Sequence, residues 1–95
     1  MPSRIEWRPA ALNDMVAIVS HIAQDNPTAA RNVYNELHRQ SQILSAQPDI
    51  GRPGRIKGTR ELVFIGLPYV APYRITKKNV EILRVYHTSQ EWGKS

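Results

Sequence analysis

Four side chains in the second half of the chain have the types that phosphodiester chemistry needs. Cleaving RNA without a metal takes a group to accept the 2′-hydroxyl proton, a cation to hold the pentacoordinate phosphate, and an acid for the leaving oxygen. Arg60, Arg74 and Arg84 are available as phosphate clamps, and His87 is the one histidine beyond residue 38. Just ahead of them, GRPGRIKGTR (residues 51–60) carries Arg52, Arg55, Lys57 and Arg60 with no carboxylate between them. That run is the electrostatic footprint a polyanion or an acidic protein favours. A plainer role stands beside each candidate. Arg60 adjoins Glu61, and a surface ion pair there would contribute only ~0 to 1 kcal/mol. The basic run alone is also what a solvated loop looks like.

Other chemistries lack their parts. The sequence has no cysteine, so it has no disulfide framework, thiolate nucleophile or Cys-ligated zinc. Three scattered histidines make no metal motif, and no metal or small-molecule cofactor is expected. Gly51-x-x-Gly54-x-x-x-Gly58 lacks the Lys-Ser/Thr ending of a phosphate-binding loop. No carboxylate pair sits at a hydrolase-like spacing.

The elements that must position these residues follow from periodicity. SRIEW (residues 3–7) alternates as a short strand. Pro9 suits the first turn of a helix, and Leu12, Met15, Val16, Val19, Ile22 and Ala23 form an amphipathic stripe that predicts a helix over 9–24. Asp25-Asn26-Pro27 stops it and caps a second helix at once, with Ala30, Val33, Tyr34, Leu37 and Leu44 inward, and Gln47-Pro48 ends that helix. So short a connection makes the pair an antiparallel hairpin. RELVFI (60–65), YVAPYRI (69–75) and VEILRVYH (80–87) are three β-rich runs joined by turn-like segments, with a bulge expected at Pro72. In the last run, strict alternation puts Leu83, Val85 and His87 on one face and Ile82, Arg84 and Tyr86 on the other. His87 then reads as a core-edge residue, and Arg84, a charge on an otherwise apolar strand, as the strongest single candidate for a partner contact. Trp92 is expected to anchor the tail on the sheet.

The result is one α+β domain over residues 1–95: a short N-terminal strand, then an antiparallel αα-hairpin on one face of a mostly antiparallel sheet, in β-α-α-β-β-β order. The other sheet face is left as the natural place for a partner. The net charge of +5 is confined to the second half, where nine basic side chains meet four acidic ones, against four of each in residues 1–47. No apolar run approaches the ~20 residues of a membrane-spanning helix. The start, MPSRIEWRP, lacks a signal-peptide core, so the expected location is the cytoplasm.

Gly58-Thr59-Arg60-Glu61-Leu62-Val63, preceded by Pro48-x-x-Gly51-Arg52-Pro53-Gly54-Arg55 and followed by Tyr69-Val70-x-x-Tyr73-Arg74 and Ile82-Leu83-Arg84-Val85-Tyr86-His87, resembles the RelE/ParE toxin superfamily. Trp7-x-Pro9-x-Ala11 and the Asp25-Asn26-Pro27-x-x-Ala30 turn match as well, so the resemblance spans nearly the whole chain and points to the ParE-like, plasmid-stabilisation branch. It implies the toxin half of a two-gene module, held inactive by a cognate antitoxin that wraps it. ParE-like members poison DNA gyrase and RelE-like members cleave mRNA on the ribosome. Arg60 falls where ribonuclease members keep a phosphate-binding arginine, and His87 where several keep an acid or base. The tyrosine and basic cluster of RelE are not matched in Thr88–Ser95. The resemblance therefore leads first to a gyrase inhibitor, with Arg52, Arg55, Lys57, Arg60, Arg74, Arg84 and Tyr86 as target or antitoxin contacts. A ribosome-dependent mRNA endonuclease using Arg60 and His87 comes second. The basic loop alone would also permit a third reading, a non-toxic nucleic-acid-binding adaptor.

Overall fold

In the computed structural model, which describes residues 3–90, the chain runs β1 (Arg4–Trp7), α1 (Pro9–Ala23), α2 (Pro27–Ser41), α3 (Ile43–Ala46) and a 3-10 turn at Pro48–Ile50. Strands β2 (Arg52–Pro53), β3 (Arg60–Val63), β4 (Tyr69–Ile75), β5 (Asn79–Ile82) and β6 (Tyr86–His87) follow. The helices open as their sequences dictate. Pro9 and Pro27 each occupy the first turn, where no N–H is needed, and the Asn26 side chain accepts from the Ala29 N–H at 3.0 Å. The second helix is not continuous to Gln47. It ends at Ser41, whose buried hydroxyl bonds back to the His38 carbonyl at 2.7 Å, and a single further turn, α3, re-aims the chain.

The sheet order is β1-β5-β4-β3-β2, with β6 pairing β4 beyond β5. Only β1 is parallel to its neighbour, β5; the remaining pairs are antiparallel. The α1–α2 hairpin covers one sheet face. Ala11, Met15, Leu37 and Leu44 from the helices meet Leu62, Phe64, Ala71, Tyr73, Val80, Ile82 and Val85 from the sheet side. Trp92 lies outside the described residues.

Two expectations about the sheet change. First, β4 runs unbroken through Pro72, and the bulge lies in the strand facing it. Between the Tyr73–Ile82 and Val70–Tyr86 pairs, β4 supplies Ala71 and Pro72 while the opposite chain supplies Leu83, Arg84 and Val85. Two residues against three is a β-bulge. The cause is geometric: Pro72 points its backbone toward that chain, where its carbonyl accepts from Leu83 N–H at 2.9 Å, and the donor proline lacks is not missed beside an interrupted ladder. The inserted residue also resets the alternation, so Ile82 and Val85 are both buried; His87, on the same face as Val85 but at the last position of β6, is exposed rather than at the core edge. Second, the far sheet face is closed at its centre. Glu61, Val70 and Pro72 are buried there, Glu61 beneath the guanidinium groups of Arg52 and Arg55.

Candidate functional site

Each sequence-predicted arginine on or beside the sheet is tied to a group of its own chain. Glu61 is 4% exposed and takes Arg52 Nε at 3.0 Å, with the Arg55 backbone N–H at 3.4 Å and its guanidinium at 3.9 Å. A carboxylate so deeply placed needs such partners, because an unpaired buried charge is strongly disfavoured. Arg74 meets Glu81 at 2.6 Å. Arg60 is half-buried and donates to the carbonyls of Gly51 at 2.8 Å and Asp49 at 3.1 Å, with the Asp49 carboxylate at 3.9 Å. Beside it the Tyr73 hydroxyl donates to the Pro48 carbonyl at 2.7 Å and accepts from Gly51 N–H at 2.8 Å. Burial pushes the Tyr73 phenol up; the Gly51 N–H and the Arg60 charge pull it partway back. Arg60 and Tyr73 thus hold the 3-10 turn and β2 onto the sheet.

Arg84 is the inserted residue of the bulge and reaches α1, not the open face. Its Nε and terminal nitrogen bond both oxygens of Asp14 at 2.7 and 3.0 Å, and its guanidinium lies 4.9 Å from the centre of the Tyr86 ring. The bidentate bond to Asp14 raises the Arg84 pKa further above its ordinary value. Lys57 is exposed and has no ion pair among the described residues.

His87 sits at the other end. Its Nδ1 accepts from the Ser89 N–H at 3.1 Å and lies 2.7 Å from Ser89 Oγ, while its ring meets Tyr69 edge-on at 5.7 Å. An N–H aimed at Nδ1 places the proton of the neutral ring on Nε2. Arg60 pairs with Tyr73 and His87 with Tyr69, so four residues of β4, about 13 Å at strand rise, separate the two backbone positions. The would-be clamp and the would-be acid or base therefore stand at opposite ends of the sheet.

The sequence did not point to one concavity of the fold. A groove of about 550 Å³ runs between the end of α2 and the outer side of β3, with Gln40, Ile43, Ile50, Leu62, Val63 and Ile65 on its walls. Ile43, Ile50, Val63 and Ile65 are exposed there, Ile65 at 84%. The Gln40 amide donates to the Ile65 carbonyl at 2.9 Å and accepts from its N–H at 2.7 Å, taking the place of a neighbouring strand residue. Strand β2 covers β3 only at Arg60 and Glu61, so the outward backbone groups of Val63 lie between two filled positions. Glu36 flanks the groove, its carboxylate pulled down to about 2 by hydrogen bonds from Arg39 and then Gln40. The one available signal was Ile43, an apolar residue next to the buried Leu44 but off the inward stripe.

The result is a small α+β domain with a helical hairpin on one sheet face and an exposed apolar groove along an incompletely covered sheet edge. Residues 5–92 match the family described as the ParE toxin of the type II toxin–antitoxin system, parDE, and the chain belongs to that family. It is 45% identical over 89 residues to "Putative toxin Y4kP" of Sinorhizobium fredii, covering 94% of this chain and 92% of that one. Among solved structures it is similar to a chain of the chromosomal ParDE system from P. aeruginosa (TM-score 0.83, 28% identity, 90% and 95% of the two chains). It also resembles a chain of the RelBE2 toxin–antitoxin complex from Mycobacterium tuberculosis (0.60, 25%, 92% and 99%). The E. coli DinJ–YafQ complex shares the fold (0.63, 17%, 98% and 100%). The chain is a toxin of a type II toxin–antitoxin system, and no helix among the described residues is long and apolar enough to cross a membrane.

Proposed function

We propose that this toxin arrests growth by binding and inhibiting DNA gyrase rather than by cutting mRNA. The separation of Arg60 from His87 carries the reading. A metal-free ribonuclease must bring its phosphate clamp and its acid or base to one scissile phosphate within hydrogen-bond reach. Here the two stand about 13 Å apart along β4. Arg60 is engaged by two backbone carbonyls, and the His87 Nδ1 lone pair by Ser89. Binding and inhibition require no such assembly.

The antitoxin's seat on this reading is the α2–β3 groove. An extended, apolar segment gains backbone bonds at Val63 and buries Ile43, Ile50 and Ile65, the usual logic of strand addition to a sheet edge. The deciding experiment runs purified toxin through a gyrase supercoiling assay and a ribosome-programmed mRNA cleavage assay side by side. Loss of supercoiling with intact mRNA is expected. Codon-phased mRNA cleavage with supercoiling untouched would make the toxin a ribosome-dependent endonuclease instead.

A further inference from the structure

Ion pairing divides the lysines and arginines of the described residues into two sets. Arg8, Arg39, Arg52, Arg55, Arg60, Arg74 and Arg84 each face a carboxylate of their own chain. Arg4, Arg31, Lys57, Lys77 and Lys78 are exposed, and none has an ion pair among the described residues. The topology gathers four of these five at one place. Strand β1 starts at Arg4 and runs parallel to β5; Lys77 and Lys78 form the turn between β4 and β5; Lys57 lies in the loop between β2 and β3. All three connections leave the same end of the sheet. Ile75, at the close of β4, and Gly58, Thr59 and Arg60 line one small cleft of about 260 Å³ there, which confirms that the loop and the turn are neighbours.

With strands about 4.8 Å apart, the strand order β1-β5-β4-β3-β2 spreads these cations over about 15 to 20 Å. No carboxylate occurs between Glu61 and Glu81 or between Asp49 and Glu61. Asp49 faces Arg60, and Glu81 is held by Arg74. A row of lysine ammonium groups on flexible stems suits a line of phosphates, since one duplex presents a charge about every 1.7 Å of its axis. We propose that this end of the sheet, through Arg4, Lys57, Lys77 and Lys78, docks on a nucleic-acid phosphate backbone. The contact is independent of sequence and separate from the groove. It does not depend on which target the toxin inhibits.

The test measures fluorescence anisotropy of a labelled DNA duplex with full-length toxin over a salt series. The wild type is compared with an Arg4→Gln, Lys57→Gln, Lys77→Gln, Lys78→Gln variant, with Arg31→Gln as control for a cation elsewhere. Thermal midpoints check that all three are equally folded. The slope of log affinity against log salt should fall by about 3 to 4 in the quadruple variant and by less than about 1 in Arg31→Gln. An unchanged slope in the quadruple variant overturns the proposal. So does a polyglutamate competitor that displaces the duplex at equal charge concentration, because the surface would then be reading an acidic chain.

Discussion

Asp14 on α1 and Arg84 in the strand bulge, 70 residues apart in the chain, share two hydrogen bonds of 2.7 and 3.0 Å, and the same carboxylate accepts the Val85 N–H at 2.9 Å. One side chain thus closes the bulge, fixes the helix against it and answers a donor that the interrupted ladder leaves over. Asp14→Ala removes all three bonds, whereas Arg84→Ala leaves the Val85 bond in place. Urea unfolding should show Asp14→Ala destabilised by about 1 to 3 kcal/mol and Arg84→Ala by less, because Arg84 is 38% exposed and partly screened. Equal losses would mean that the Val85 bond contributes nothing.

Tyr73 and Gly51 make a second long-range lock. A β-carbon at Gly51 would collide with the Tyr73 ring and hydroxyl, so Gly51→Ala is expected to cost about 1 to 3 kcal/mol through overpacking at an otherwise ordinary backbone angle. Burial holds the Tyr73 phenol above its ordinary value of 10.0 in the folded state. Its contribution is therefore fully present below pH 10 and is lost as pH rises through the folded value. Between those two values the folded chain holds the proton that the unfolded chain has released, so stability falls with pH. The stability gap between wild type and Tyr73→Phe should shrink over that alkaline range. A gap independent of pH would mean the phenol is not held in its buried position in solution.

How much of this was open to sequence reading depends on range. Pro9, Pro27, the Asn26 cap and the apolar stripes are local signals, and both helices begin where those signals put them. VEILRVYH alternates so regularly that it reads as one strand, and nothing within it shows the inserted residue. The bulge lies opposite Pro72, and only pairing of the two strands reveals it. The same holds for the charges. Arg52 with Glu61 and Arg84 with Asp14 are contacts between segments, so a carboxylate-free run looked free when part of it was covering a buried acid. Gln40 gave no warning at all, since a glutamine on a helix is ordinary until the backbone of Ile65 arrives beside it.

That glutamine can be tested apart from any partner. Gln40→Ala removes the only side chain bonded to the backbone of Ile65 among the described residues. Hydrogen exchange at the Ile65 amide should quicken at least about tenfold while Leu62 and Phe64 keep their protection, since the freed edge opens locally. Slowed or unchanged exchange would show that another group covers the edge.

The groove makes a sharper demand. If the antitoxin buries Ile43 and Ile50, a single aspartate there leaves a charge facing an apolar surface. Ile43→Asp should weaken antitoxin binding by about thirtyfold or more in calorimetry, the scale of an interface hot spot, with little change in folding because the residue is already 39% exposed. The same change at Val16, 61% exposed on α1 outside the groove walls, should have little effect. Equal losses at the two sites would place the antitoxin over the helical hairpin instead.

His87 separates inhibitor from enzyme. General acid–base catalysis contributes about 10²- to 10⁴-fold, so a nuclease that uses this ring should lose that much rate in His87→Gln while keeping its binding. An inhibitor has no proton to transfer. The neutral ring already commits Nδ1 to Ser89 and offers Nε2 only as a donor, so the proposed function predicts that His87→Gln arrests growth nearly as well as wild type at matched soluble levels. Ser89→Ala keeps the backbone N–H that fixes the tautomer and should likewise be silent. Mapping mRNA ends in the same induced cells completes the comparison. Codon-phased ends that appear with wild type and vanish with His87→Gln would reverse the assignment and make Nε2 the reactive atom.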